Sequence, residues 1–202
     1  MVKNEKGLLV VISGPSGVGK GTVCKEYFKQ HADAFLSISA TTRGPRNGEI
    51  DGKSYHFVTM DRFIELAGED YFLEWAEYCG ERYGTPKKPV FDCIEKGDNV
   101  VLEIEVQGAM QMRAKYPEAV YIFILPPSME ELRRRLEGRG TEAPEVIEKR
   151  LAKAKVEIAS GYKYNYYVVN DTVENAVDKI NKIIEVENLR TERSTLNIEE
   201  EF

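Results

Sequence analysis

Apolar residues along this chain fall in short β-branched runs, separated by stretches with helical spacing. Residues 8–12 (Leu-Leu-Val-Val-Ile) form the first run, and residues 23–30 after it have a helix-like pattern. Residues 35–39 alternate as a strand does, whereas 40–49, rich in Gly, Pro and polar side chains, read as a loop. Residues 53–58 predict a short strand, 61–66 a helix, and 71–78 a strand interrupted by Glu74 and Glu77. The run 99–106 suits a buried parallel strand, 107–115 a helix, and 119–125 is the longest apolar run. Pro126-Pro127-Ser128 stops it, and Ser128 with Glu131 three residues on predicts a capped helix over 129–136. A long amphipathic segment then spans 145–160, a last strand 166–171, and apolar positions at 173, 176, 177, 180, 183 and 184 predict a final helix. Strands alternating with helices imply an α/β fold whose parallel sheet is covered on both faces. The segment 37–96 is polar and strand-rich, unlike its flanks, and reads as an inserted lobe.

Between the first strand and the first helix lies Gly14-Pro15-Ser16-Gly17-Val18-Gly19-Lys20-Gly21-Thr22. Strand, glycine loop, helix is the order of a phosphate-binding loop. Glycines let successive backbone N–H groups curl around a phosphate, the helix start adds partial positive charge, and Lys20 can reach the outer phosphates of a nucleoside triphosphate. A glycine-bearing turn without function is the plainer alternative. Gly21 stands where many such loops carry the Ser or Thr that holds Mg²⁺. Thr22 offers a hydroxyl one residue later, so metal ligation either shifts there or relies on nucleotide phosphates and water. The Gly-Lys-Gly-Thr ending resembles the nucleoside monophosphate kinases.

Composition narrows the chemistry. The 202 residues, 42% hydrophobic and 31% charged, suffice for a buried core. No apolar run approaches membrane-spanning length and the N-terminus lacks a signal-peptide profile, so a soluble cytoplasmic protein is expected. Three widely spaced cysteines, Cys24, Cys79 and Cys93, fit neither a disulfide framework nor a zinc site. With two histidines, His31 and His56, the chemistry rests on phosphates, carboxylates, arginines and magnesium. A formal net charge of −6 argues against a broad nucleic-acid-binding face.

Several stretches together resemble guanylate kinase. They are the glycine loop; Ser39-Ala40-Thr41-Thr42-Arg43-Gly44-Pro45-Arg46-Asn47-Gly48-Glu49; Asp51-Gly52-Lys53-Ser54-Tyr55-His56-Phe57; Phe72-Leu73-Glu74-Trp75-Ala76; Tyr83-Gly84-Thr85; Glu105-Val106-Gln107-Gly108-Ala109; and Arg135-Leu136-Glu137-Gly138-Arg139-Gly140-Thr141. The resemblance implies a three-layer α/β sandwich of the P-loop kind: a core (1–36, 97–137, 159–190), an inserted GMP-binding lobe (37–96), a mobile helical lid (138–158) and an acidic tail (191–202). It implies Mg²⁺-dependent phosphoryl transfer from ATP to GMP, with dGMP as a further acceptor. By position, Ser39, Arg43, Arg46, Glu49, Tyr55, Glu74, Tyr83, Thr85 and Glu105 fall where the family holds GMP. Arg139 and Arg150 match lid arginines, and Asn170 with Asp171 lies near the adenine side.

Physical chemistry supplies reasons for several of these. Guanine presents N1–H and an exocyclic NH₂ side by side, and one ionised carboxylate accepts from both, a pairing adenine cannot offer. Glu74 is the candidate, with Ser39 and Thr85 as hydroxyl donors to O6. Arg43, Arg46, Tyr55 and Tyr83 can converge on the GMP phosphate, and Arg43, Arg139 and Arg150 can stabilise the moving phosphoryl group. Glu103, alternatively a plain strand-end carboxylate, is a candidate beside Mg²⁺ with Thr22. By alternation alone, Glu74 reads as an outward, solvated residue, and Tyr55 and Tyr83 as core aromatics. Arg133, Arg134, Lys153 and Lys155 read as helix-surface charges, and Trp75 as packing. Two other functions compete: a non-catalytic binding module of the same fold, and a kinase for another phosphate acceptor such as AMP, CMP or a phosphorylated sugar.

Overall fold

Backbone pairing follows the apolar runs closely at the centre of the molecule and less closely around residues 37–96. In the computed structural model, which describes residues 2–4, 6–31, 34–78, 80–138 and 143–196, strand β1 (Val2–Asn4) precedes β2 (Leu9–Ser13) and helix α1 (Lys20–Gln30). Next come β3 (Phe35–Leu36), β4 (Ala40–Thr41), β5 (His56–Phe57), α2 (Met60–Gly68), β6 (Phe72–Tyr78), β7 (Glu81–Pro86) and α3 (Lys87–Glu95). The chain continues through β8 (Val100–Glu103), α4 (Val106–Lys115), β9 (Val120–Leu125), α5 (Met129–Glu137), α6 (Pro144–Ala159), β10 (Tyr166–Val169), α7 (Val173–Asn188) and β11 (Ser194–Leu196).

Five strands pair in the order β10-β9-β2-β8-β3, every pair parallel, as the run of β-branched segments predicts. Successive side chains of a strand face opposite ways, so β2 feeds two cores. Val10 and Ile12 pack with Val23 and Tyr27 of α1 and Ile180 of α7. Val11 packs on the other face with Leu102, Tyr121 and Met112 of α4. A sheet apolar on both faces must be covered on both, which is why the helices divide between them. Among the described residues no helix is long and apolar enough to cross a membrane.

A second sheet, ordered β5-β4-β7-β6, is mixed: β4 runs parallel to β5 and antiparallel to β7, and β6 is antiparallel to β7. Its small core joins Ala40, Phe63, Leu66 and Phe72, with the Phe63 and Phe72 rings stacked 4.6 Å apart. Several boundaries differ from the pattern. Ala40 and Thr41, placed in a loop by composition, are buried and form β4, while the alternating stretch before them stays a strand only to Leu36. The pattern missed β7 and α3 altogether. Within the tail after residue 190, which the sequence marked as acidic, residues 194–196 form β11, antiparallel to β1.

Candidate active site

The glycine loop leaves the end of β2 and closes on α1. Gly19 has φ +98°, and a Cβ there would come 2.7 Å from Asn170 Nδ2. At Gly14 a Cβ would meet the Ile124 carbonyl oxygen at 2.4 Å, so the loop lies directly on the end of β9. Both positions need glycine for conformation and for space. Buried Lys20 donates from Nζ to the Gly14 carbonyl at 2.8 Å and lies 3.8 Å from Glu105 Oε1. The first turn of α1 carries no acidic side chain, so its free N–H groups and Lys20 together favour an anion.

The loop is held by side chains the sequence did not flag for this role. Arg135, in the last turn of α5, donates to the Val18 carbonyl at 3.0 Å and the Asn170 carbonyl at 2.9 Å, with Glu131 bracing its Nε at 2.7 Å. Asn170 is buried, and its amide donates to the same Val18 carbonyl at 2.8 Å. Asp171 is exposed and accepts from the Thr172 N–H, closing the turn into α7. The motif run beginning at Arg135 was visible in the sequence; the signal for a clamp was an arginine beside two residues spaced for the helix face, and only the fold shows where that face lies.

Beside the loop is a cavity of about 210 Å³. It gathers Lys20 with the strand-end carboxylates Glu103 and Glu105. The second sheet and its approach contribute Ser39, Glu74 and Tyr83, and the segment 43–55 contributes Arg43, Arg46 and Tyr55. Arg43 is salt-bridged to Glu49 at 2.9 Å and lies over the Tyr55 ring, 5.4 Å from its centroid. The Tyr55 and Tyr83 rings meet edge-on at 6.1 Å, half-buried against the cavity instead of in a core. Glu49 also accepts the Arg46 N–H at 2.7 Å, so it shapes the arginine loop from behind.

Glu74, which alternation alone turns outward, is 4% exposed. It accepts a 2.6 Å hydrogen bond from the Thr85 hydroxyl, itself fully buried. Burial pushes the Glu74 carboxyl up to about 7, against the Thr85 bond that pulls it down, with Glu105 adding to the rise. The reason for the reversed orientation is in β6, whose pairing with β7 is irregular between Phe72 and Trp75, and in which Glu74 and Ala76 are buried while Trp75 and Glu77 are exposed. Phe72 joins the small core with Phe63, Leu73 joins the main one, and α4 lies alongside, with Gln111 bonded to the Trp75 backbone at 2.8 Å. Trp75 is itself partly exposed, under the Arg82 guanidinium.

Glu103 is likewise raised, first by burial, with Lys20 opposing and Glu105 adding. A Cβ at Gly21 would touch its carboxylate at 3.5 Å, so Gly21 leaves that carboxylate open beside the loop. Thr22 is exposed on α1. Arg150 is half-buried on α6 and is not among the residues that line the cavity. Arg139 lies outside the described residues. Arg133 is not a bare surface charge, since it bonds Glu148 and so joins α5 to α6, while Arg134 pairs with Glu131 at 2.7 Å.

Two buried oxygens on the cavity, Ser37 Oγ and Glu105 Oε2, have no hydrogen-bond partner among the described residues. Buried polar atoms are seldom left so, and both residues line the cavity. Ser37 was not singled out from the sequence, although it shares the strand-like alternation with Ser39. Tyr78 was also missed: its hydroxyl donates to Ser16 of the glycine loop at 3.0 Å.

The family model for guanylate kinase matches residues 6–187. The chain is 55% identical over 195 residues to the guanylate kinase of Clostridium acetobutylicum, across 96% of this chain and 93% of that protein. It is 54% identical over 190 residues to the guanylate kinase of Caldanaerobacter subterraneus subsp. tengcongensis, across 94% and 92%. Among solved structures, a crystal structure of guanylate kinase from Anaplasma phagocytophilum superposes with a TM-score of 0.81 at 36% identity, covering 96% of this chain and 93% of that one.

Proposed function

The chain belongs to the guanylate kinase family and transfers a phosphoryl group from ATP to GMP, and from that premise we propose how its residues divide the work. The observation that carries the assignment is one cavity holding both the loop lysine Lys20 and the buried carboxylate Glu74. Lys20 and the N–H groups of residues 14–22 hold the β and γ phosphates of ATP, with Asn170 and Asp171 toward the adenine. Arg43, Arg46, Tyr55 and Tyr83 hold the GMP phosphate, and Glu49 keeps Arg43 aimed.

Guanine is read by Glu74 through its adjacent N1–H and NH₂ donors. Thr85 has one hydroxyl proton, which it gives to Glu74, so it acts by fixing the carboxylate, and Ser39 takes O6. Glu105 and Ser37, which line the same cavity, contribute the remaining polar contacts. The reading extends to dGMP, because these contacts address base and phosphate and none requires the 2′-hydroxyl.

Residues 1–36, 97–137 and 159–190 form the core of this arrangement, 37–96 the GMP lobe and 138–158 the lid. Magnesium fits the site: Glu103 is a carboxylate crowded by Glu105, raised by burial, and left open by Gly21 beside the phosphate loop. Glu103 would hold the ion, with water and nucleotide phosphates, in preference to Thr22, which is exposed. When bound, it neutralises phosphate charge. A cytoplasmic setting belongs to the same reading, and the free thiols Cys24 and Cys93 agree with a reducing compartment.

The acceptor is a phosphate oxygen. A phosphate monoester with a second pKa near about 6 is mostly dianionic at neutral pH, so no general base is required. The protein must instead align two polyanions that repel each other and cancel charge on the moving group. Lys20 and Arg43 serve from the open site, and Arg139 and Arg150 join when the lid closes. Closure also keeps out water, whose attack would hydrolyse ATP. An ADP-release assay across nucleoside monophosphates tests the acceptor assignment: GMP and dGMP turn over, while AMP and CMP stay near background. Equal turnover of AMP would overturn the role of Glu74.

A further inference from the structure

One motif glycine has no part in the chemistry so far. Gly108 is the third residue of α4, and a Cβ built on it would lie 2.1 Å from Glu74 Oε2 and 2.9 Å from Glu74 Cδ. Its backbone is helical and does not adopt a positive φ, so conformation does not call for glycine there. Alanine is in fact the better helix former. What excludes a side chain is the carboxylate itself.

Something must move if a methyl group is added, and the packing decides what. Helix α4 is fastened to β6 through both ends of the Gln111 amide, which bonds the Trp75 carbonyl at 2.8 Å and the Trp75 N–H at 3.4 Å. Ala109 and Met112 are fully buried in the main core. The helix therefore stays, and the flexible end of Glu74 gives way. Yet Glu74 has one well-defined seat, set by Thr85 on one side and by the side-chain-free Gly108 in the first turn of α4 on the other. Free N–H groups in that turn favour an anion close by, provided no side chain intervenes.

We infer that Gly108 is a positioning residue for acceptor specificity: by lacking a side chain it lets the Glu74 carboxylate sit against α4, where it meets the guanine edge. The inference rests on the assignment of Glu74 to the base, and it names the position that holds this contact in place without touching substrate. A Gly108→Ala protein keeps its ATP site and catalytic arginines, but its carboxylate is turned off the guanine donors.

The test is a cycle of wild type, Gly108→Ala, Glu74→Ala and the double variant, with KM for GMP, KM for ATP, kcat and thermal midpoint read for each. Gly108→Ala should raise KM for GMP on the order of tenfold or more, because polar recognition groups are left mismatched, and change KM for ATP less than about twofold. In the double variant the methyl group occupies the space the carboxylate vacated, so KM for GMP should match that of Glu74→Ala alone. If Gly108→Ala folds poorly, the double variant should regain the midpoint of Glu74→Ala, which is the same result in another readout. Losses that multiply in the double variant, or a double variant as unstable as Gly108→Ala, overturn the inference. So does a normal KM for GMP in Gly108→Ala when Glu74→Ala is impaired. A normal KM for GMP in Glu74→Ala instead removes the base assignment beneath it.

Discussion

Burying the Glu74 carboxyl moves its pKa from 4.5 to about 7 even though the Thr85 hydroxyl favours the charged form. A carboxylate whose folded value is raised gives stability that is complete below its unfolded value and is lost as pH rises through the folded one. The unliganded protein should therefore lose on the order of 3 kcal/mol between about pH 4.5 and 7 on account of this group. Glu74→Gln keeps an acceptor for Thr85 and removes the ionisation, so its thermal midpoint should exceed that of wild type at about pH 8 and converge with it toward about pH 5. Guanine binding has the opposite sign, because its two donors need the ionised form. Wild-type GMP affinity should fall as pH drops through about 7 in a step that Glu74→Gln lacks, while both proteins keep the step from the substrate phosphate near about 6. Titrations of GMP against pH in the two proteins separate the steps; identical profiles would take the ionised carboxylate out of base recognition.

At the level of elements, the end of α5 sets the shape of the glycine loop. Arg135 reaches two backbone carbonyls from different segments, Val18 and Asn170, which a single lysine ammonium does not span in the same fork. Arg135→Ala should raise KM for ATP about tenfold, the worth of one or two charge-assisted hydrogen bonds, with KM for GMP nearly constant. Steady-state kinetics with each nucleotide varied in turn check this, and equal rises in both constants would mean a general loss of packing. The contrast with what the sequence disclosed is physical. The central parallel strands β2, β8 and β9 were legible because they are buried on both faces and must be almost wholly apolar. The glycine loop was legible because its geometry forbids side chains. In contrast, β7 reads Glu-Arg-Tyr-Gly-Thr-Pro, with no apolar alternation, and becomes a strand through pairing with β6. Its Gly84 lies where a Cβ would press on Phe72 at 2.9 Å, a contact no periodicity encodes. α3 buries fully only Val90 of its nine residues, too little to mark a helical face. Glu74 itself was misleading by alternation because β6 turns Trp75 and Glu77 outward and Glu74 inward with Ala76, an orientation set by pairing that is irregular between Phe72 and Trp75.

Across the whole molecule, the parallel sheet brings the ends of β2, β8 and β10 to one edge, where the glycine loop lies between Asn170 on one side and Glu103 on the other. The second sheet faces that edge, and one side chain links it to the loop. Tyr78, the last residue of β6, bonds Ser16 through its hydroxyl, and Lys153 of α6 stands 4.3 Å from the centre of its ring. Tyr78 thus touches the glycine loop, the second sheet and the helix that carries Arg150. On the proposed assignment, a triphosphate seated in the loop would compete for the Ser16 hydroxyl and so alter what β6 is tied to at the other site. The affinity of GMP should then differ with and without a non-hydrolysable ATP analogue, and linkage requires the same factor for the analogue with and without GMP. One neutral hydrogen bond accounts for a coupling of about two- to tenfold. Tyr78→Phe keeps the ring beneath Lys153 and removes the hydroxyl that bonds Ser16, so calorimetric titrations should show the coupling factor moving toward one while each nucleotide alone binds nearly as before. A factor that is already one in wild type, or that is the same in Tyr78→Phe, would show that the two sites meet only through their substrates.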